Sequence, residues 1–413
     1  MILVLNHLLR LSGNRYLCLL CGLIFLSACS KKVFPPKPVE KQTPIEITVP
    51  NVEQPVKKNI DHSIVLLLPF QLNTINLKTS KKADLNKADL AIDFYQGFKL
   101  ALDSLSIGGH NFDLKVFDTQ NTETQIVNLA LSSSIKNQDL IVGPIFPEGI
   151  RTFSEFSDLG KILQVSPLAA SMPSGFNDPN LVSINNSIDQ HALKIAEFVI
   201  KQYKPEDVQL VLINTQKTID ARYSNFIKRY LNELSGSGFR IIERPNVIGI
   251  EGYLSRTKNN LVLITSSDRS FLLPAIDKLY NLKNQQFKIE LFGHPDWMKA
   301  RYLNPEKMQA LNARISTSYF VNYKTQDVKN FVARYRNEFG MEPSEYSFKG
   351  FDTAYFFGTL IEKYDKLYPD YLIKEIYKGL HNEFRFVKDP KYGYRNTSLM
   401  LLRYQNFELQ LVK

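Results

Sequence analysis

From residue 62 onward the chain repeats one pattern: a short continuous apolar run, a turn, then a longer stretch with apolar residues at helical spacing. The first run, residues 63–70, reads Ser-Ile-Val-Leu-Leu-Leu-Pro-Phe. A run that is apolar at nearly every position suits a strand buried on both faces. The next stretch sets Ala91, Phe94, Tyr95, Phe98, Ala101, Leu102 and Leu105 on one helical stripe, and Gly108-Gly109 stops it. Residues 112–119 alternate Phe112, Leu114 and Val116 as a strand, and 122–134 read as a helix. Residues 139–144 and 161–167 read as short buried strands with a helix between them. Such a series implies a parallel sheet with right-handed crossovers and helices over both faces.

After residues 181–187 the pattern starts again. Strands are expected near 207–214, 239–244, 260–268, 287–297 and 313–320, with helices near 188–203, 220–235 and 269–282. About 350 residues exceed one small core and suit two α/β lobes. Two helices follow. The first carries the stripe Val328, Phe331, Val332, Tyr335 and Phe339, closed by Gly340; the second covers about 347–366. The tail, 381–413, reads as one or two hairpins. The expected division is lobe 1 at 62–185 and 346–380, and lobe 2 at 186–345 and 381–413.

The N-terminus reads differently. Residues 1–15 carry Arg10 and Arg15 and no acid, and 16–26 are nearly all apolar. That is a basic start and an apolar run of about ten residues, a secretory signal too short to span a bilayer. Leu26-Ser27-Ala28-Cys29 then resembles the bacterial lipobox. The resemblance implies cleavage after residue 28 and lipidation of Cys29, with two or three acyl chains giving stable anchorage. Residues 30–61 hold six of the 20 prolines and many lysines. Their composition predicts a disordered tether, about 3.1 Å per residue when extended. Cys18 and Cys21 would leave with the signal, so the folded part carries no cysteine, hence no disulfide or thiolate chemistry.

Several segments line up in order and spacing: 64–70, 91–105, 114–122, 140–146 and 162–170, a second lobe, then 331–358. Together they resemble the type I periplasmic binding-protein family, that of the leucine/isoleucine/valine-binding proteins, over roughly residues 62–413. The opening Leu-Leu-Leu-Pro-Phe is similar to a branch that includes the outer-membrane lipoprotein activator of peptidoglycan synthases. The resemblance implies two doubly wound, Rossmann-like lobes joined by three crossing strands. A ligand would sit in the inter-lobe cleft, and hinge closure would follow from its contacts with both lobes. Ser30, rather than an acid, after the lipidated cysteine implies the outer membrane, with the body facing the periplasm.

The same resemblance supplies site candidates on loops after strands. In lobe 1 they are Ser166 and Ser171, with the amides of Leu168 and Ala169, for a ligand carboxylate. The chain departs from the amino-acid binders here, reading Ile-Phe-Pro after Gly143-Pro144 and Ala169-Ala170 where a threonine would help. In lobe 2 they are Asp268, His294, Asp296 and Trp297. Asp296, or Asp268 as second choice, would meet an ammonium, and Trp297 would stack on the ligand. Asp268 equally suits a helix N-cap, Trp297 a core, and His294 a solvated turn. Phe146 and Trp297 are the large side chains that would fill the cleft in a protein that binds no solute.

Formal net charge is +10, with lysines and arginines scattered rather than clustered. No nucleic-acid motif is present. No Gly-x-Ser-x-Gly, His-Glu-x-x-His, Walker or Gly-x-Gly-x-x-Gly motif occurs. The histidines at 62, 110, 191, 294 and 381 lack metal-ligand spacing. The expectation is a non-enzymatic protein without metal or cofactor. Two functions stay open. One is a receptor that captures a small polar solute, an amino acid or short peptide, for a transporter or sensor. The other is an interaction protein that regulates peptidoglycan synthesis at the outer membrane.

Overall fold

A computed structural model describes residues 62–76, 78–79, 82–236 and 238–412. The signal, Cys29 and the tether lie outside the described residues. Strand β1 (His62–Leu68) is fully buried from Ile64 to Leu68, which accounts for its unbroken apolar run. Its alternate residues serve different layers. Ile64, Leu66 and Leu68 pack under helices α1 (Lys82–Ile107) and α9 (Glu345–Tyr364). Val65 and Leu67 pack under α2 (Glu123–Leu131) and α3 (Pro147–Phe156).

β1 pairs in parallel with β2 (Phe112–Asp118) and β3 (Leu140–Val142). β4 (Leu163–Ser166) and β5 (Leu181–Ser183) continue the parallel sheet. The order β5-β4-β3-β1-β2 places the reversal of strand order between β1 and β3. The second lobe repeats it. β6 (Val208–Ile213), β7 (Ile241–Arg244), β8 (Asn259–Ile264), β9 (Ile289–Gly293) and β10 (Arg314–Thr317) run β10-β9-β8-β6-β7, all parallel. Helices α4 (Ile188–Gln202) and α5 (Thr218–Ser235) cover one face of it. Helices α6 (Arg269–Asn284) and α7 (Pro305–Ala310) cover the other.

The C-terminal third divides otherwise than expected. Helix α8 (Gln326–Phe339) buries Val328, Phe331, Val332 and Tyr335 against Leu100 of α1 and Phe348 of α9, so it belongs to lobe 1. Residues 381–396 also join lobe 1. Strands β11 (Ile376–Lys378), β12 (Glu383–Asp389) and β13 (Gly393–Asn396) extend the first sheet, with β13 parallel to β5. Phe384, Phe386 and Tyr394 bury under α9 and α10 (Tyr368–Tyr371), and this apolar period-2 pattern holds the extension in place. Only β14 (Met400–Gln405) and β15 (Glu408–Leu411) complete lobe 2, antiparallel beside β10.

The chain therefore crosses between lobes three times, near residues 184–187, 318–325 and 397–399. Asn186 Nδ2 and Gln190 Nε2 both donate to the Asn396 carbonyl, at 2.9 and 2.6 Å, tying the first crossing to the third. Asn382 Nδ2 donates to the Ser318 carbonyl at 3.0 Å, tying the second to lobe 1.

Helices α1 and α9 pack backbone to backbone. A Cβ on Gly350 would lie 2.1 Å from the Phe94 carbonyl oxygen, and one on Gly97 would lie 1.8 Å from that of Ser347. Gly350→Ala is expected to lower stability by about 3 kcal/mol, since neither backbone can retreat within a packed core. A thermal unfolding midpoint unchanged from the parent would show that the helices separate freely.

Candidate functional site: the inter-lobe cleft

A cleft of about 450 Å³ lies between the lobes. Its walls come from the carboxyl ends of parallel strands, where doubly wound sheets expose loop backbone and helix N-termini. Lobe 1 supplies Ile145 and Phe146 after β3, and Leu168, Ala169 and Ala170 after β4. Lobe 2 supplies Asp296, Met298 and Lys299 after β9, and Thr317, Ser318 and Tyr319 after β10. The first crossing adds Asn185 and Asn186, and the start of α9 adds Glu345, Tyr346 and Lys349.

Lys349 dominates the electrostatics. It is 6% exposed, yet its ammonium has no carboxylate within 4.0 Å among the described residues. Nζ donates to Asn185 Oδ1 at 2.8 Å and lies 5.4 Å from the Tyr319 ring centre. Burial pulls the amine down to about 8. Asn185 in turn donates through Nδ2 to the Leu168 carbonyl. Lys349, Asn185 and the turn after β4 are thus one oriented chain on the cleft wall.

A second charged pair crosses the cleft. Lys299 Nζ, from lobe 2, lies 2.6 Å from Glu345 Oε1, at the start of α9. Burial pushes the Glu345 carboxyl up, but hydrogen bonds from Lys299 and Tyr319 outweigh it and hold the group below the usual carboxylate range. Burial likewise depresses Lys299, and the Glu345 bond more than offsets this.

The sequence candidates divide into wall and support. Leu168, Ala169 and Asp296 line the cleft, and the Asp296 side chain is 68% exposed at its mouth. Ser166 is fully buried behind the wall, with no partner for its hydroxyl among the described residues, and Ser171 is half-buried off the lining. Asp268 is away from the cleft. It caps α6 by accepting the Ser270 amide at 2.9 Å, and its ion pair with Lys217 holds it well below the usual carboxylate range. His294 is buried under the rim, where its Nδ1 accepts the Asp296 amide at 3.1 Å and its ring meets Tyr223 edge-on. Burial lowers its basicity. Trp297 is core: the turn after β9 folds its ring back against Gly293, and Nε1 donates to the Ser266 carbonyl at 2.9 Å. Phe146 is 41% exposed and does stand on the cleft.

Sequence reasoning missed Asn185, Lys299, Tyr319, Glu345 and Lys349. One signal was present. Lys349 and Asp352 fall on the same face of α9 as Phe348 and Phe356, and charged residues on an apolar face require partners or a purpose.

Two doubly wound lobes, three crossings and a cleft at the strand carboxyl ends define the type I periplasmic binding-protein fold, and this chain has that fold. Solved structures similar to it include a putative branched-chain amino acid ABC transporter protein from Rhodospirillum rubrum, with TM-score 0.60, 13% identity, and coverage of 85% of this chain and 99% of that one. A substrate-binding protein of an ABC transporter from Desulfitobacterium hafniense, in complex with Leu, matches with TM-score 0.54, 14% identity and coverage of 85% and 99%. The C-domain of LpoA from Haemophilus influenzae, a regulator of PBP1A, matches with TM-score 0.53, 15% identity and coverage of 85% and 100%. No protein-family model and no curated protein sequence matches the chain.

Proposed function

We propose that residues 62–413 form a solute receptor that captures a small polar molecule, an amino acid or short peptide, through its anionic group. In this proposal the receptor is lipidated at Cys29, stands on the tether of residues 30–61 at the outer membrane facing the periplasm, and serves a transporter or sensor. One observation carries it: Lys349 is a buried cation on a cleft wall with no carboxylate within 4.0 Å among the described residues. A ligand carboxylate would supply the missing charge beside the Asn185 amide. Asp296, across the cleft, would meet a ligand ammonium. The Desulfitobacterium hafniense protein of the same fold, crystallised with Leu, is consistent with such a ligand.

The test is thermal unfolding against amino acids, short peptides, nucleobases, sugars and cell-wall fragments. A ligand at 100 times its dissociation constant adds roughly 2.7 kcal/mol, a shift of several degrees. A saturable shift with carboxylate-bearing compounds, weakened in Asp296→Ala, is the expected result. A cooperative transition that no compound moves would reject the receptor.

The Lys299–Glu345 pair favours a second reading, an interaction protein that regulates peptidoglycan synthesis. In a receptor, the ligand links the lobes; here the chain links them itself. LpoA, a regulator, shares the fold. On this reading, Glu345→Gln changes the scattering radius of gyration while no solute does. A radius that contracts with solute in the parent would refute it.

A further inference from the structure

The first sheet is covered by helices on both faces except over its antiparallel extension. There, Phe384, Phe386 and Tyr394 face α9, while the opposite side of β11 and β12 exposes Ile376, Lys378, Arg385 and Val387. Arg395 continues this face on β13, bordered by the turn Pro173–Gly175. Lys388 and Lys391 flank the tip of the β12–β13 hairpin. None of these five cations has a carboxylate within 4.0 Å among the described residues. The nearby acids are Glu375, Asp189, Glu383 and Asp389; Glu375 pairs with Lys363 at 2.8 Å, Asp189 accepts the Ser187 hydroxyl, and Asp389 is engaged by the amides of Lys391 and Tyr392.

β11 is also the terminal strand of the sheet. Gly379 N donates to the Asn382 carbonyl, which makes 379/382 and 377/384 the hydrogen-bonded pairs of this hairpin. The N–H and C=O groups of Ile376 and Lys378 therefore point outward, without a backbone partner among the described residues. Two cavities flank this edge, of about 470 and 130 Å³, both lined by Tyr355 and Tyr377. The larger adds Phe351, stacked on Tyr355 at 5.7 Å. A free edge of this kind recruits an extended chain, and pockets for alternate side chains give specificity.

We infer that β11 receives an extended acidic peptide segment of a partner protein. Its backbone pairs with Ile376 and Lys378, its apolar side chains enter the Tyr355–Tyr377 groove, and its alternate carboxylates lie beside Lys378 and Arg385. Period-2 alternation delivers both sets of contacts at once: Tyr377 faces the helices, and Lys378 faces away. The unpaired cations decide the sign of the partner's charge.

The probe is the capped hexapeptide Glu-Val-Glu-Val-Glu-Val, titrated into the full chain in detergent and followed by fluorescence anisotropy and hydrogen exchange. Expected are saturable binding that weakens with salt and slowed exchange at the Ile376 and Lys378 amides. Binding falls by roughly tenfold or more in the double variant Lys378→Glu, Arg385→Glu. Both side chains are exposed, so the variant keeps its fold, and an unchanged melting temperature checks this. Four results would overturn the inference: no saturation by millimolar peptide, equal binding of a peptide with lysines in place of the glutamates, binding indifferent to the double variant, or binding of anionic phosphatidylglycerol vesicles at this face without binding of the peptide.

Discussion

Lys349→Met is expected to yield a protein that unfolds less readily and, if the receptor proposal holds, binds a carboxylate solute far more weakly. The buried amine titrates at about 8 instead of 10.5. That shift corresponds to a folded-state penalty of roughly 3 kcal/mol on the charged form. Methionine matches the length of the stem and removes the penalty along with one hydrogen bond to Asn185, which offsets about 1 kcal/mol. A net gain of about 1–2 kcal/mol follows at neutral pH, in line with the replacement of buried ions by apolar groups. The gain depends on pH with a definite sign. Between pH 8 and 10.5 the unfolded chain holds a proton that the folded chain has lost, so the parent gains stability as pH rises. The advantage of the variant therefore shrinks over that window. Solute affinity moves the other way. It falls in the parent above pH 8, as the ammonium is lost, and drops by about 100-fold in the variant at pH 7. Calorimetric titration beside thermal unfolding reads both. A stabilised variant that binds as tightly as the parent would move the anion site away from Lys349.

Asp352→Ala is expected to cause a large loss of stability, because it empties the centre of the turn that leads from β11 to β12. The carboxylate is fully buried and accepts the backbone N–H groups of Leu380, His381 and Asn382, at 2.9, 2.8 and 2.7 Å, and the Tyr377 hydroxyl at 3.0 Å. Alanine strands three amides in a dry site, at about 1–3 kcal/mol each, so the total is about 4 kcal/mol or more. That is a large part of the 5–15 kcal/mol that holds a typical domain together. The turn so released carries Asn382, which bonds Ser318 on the second crossing, so cleft geometry loosens with it. Burial pushes the Asp352 carboxyl up to about 6, despite its four donors. Its folded value exceeds its unfolded one, so its contribution is complete below about pH 4 and declines as pH rises through 6. The difference in unfolding free energy between the parent and Asp352→Asn, which cannot titrate, should shift in that direction between pH 4 and 6.5. Alanine tolerated with a loss below 1 kcal/mol would mean that water replaces the carboxylate.

Much of the architecture was legible because burial leaves periodic marks. β1 is apolar without a break from Ile64 to Leu68 since both its faces are covered there, and the Ala91–Leu105 stripe on α1 repeats every turn. The division of the tail was not legible. β12 alternates while β14 opens with three consecutive apolar residues, yet neither pattern says that one joins the first sheet and the other the second; the partners, β13 with β5 and β14 with β10, are set by contacts far apart in the chain. The cleft was legible only where strand ends meet loops, at Phe146, Leu168, Ala169 and Asp296. Trp297 and His294 sit within three residues of Asp296, but the short helical turn Pro295–Lys299 points them inward. Lys349 lies on a helix 180 residues downstream of Leu168, and only the tertiary fold brings the two to one wall.

The three crossings also set an order of events during synthesis. Lobe 1 draws on residues 62–183 and then on 326–396, and β13 sits in the interior of its sheet, between β5 and β12. Until residue 396 has left the ribosome, the edge of β5 is unpaired and Phe384 and Phe386, the apolar lining of the extension, are missing from the core. The second lobe has the same dependence on β14 at its own edge. Neither lobe is a contiguous fragment that can finish alone, so the nascent polypeptide must be kept from aggregating for nearly its whole length. The connectivity thus postpones completion of both lobes until the last strands have been made.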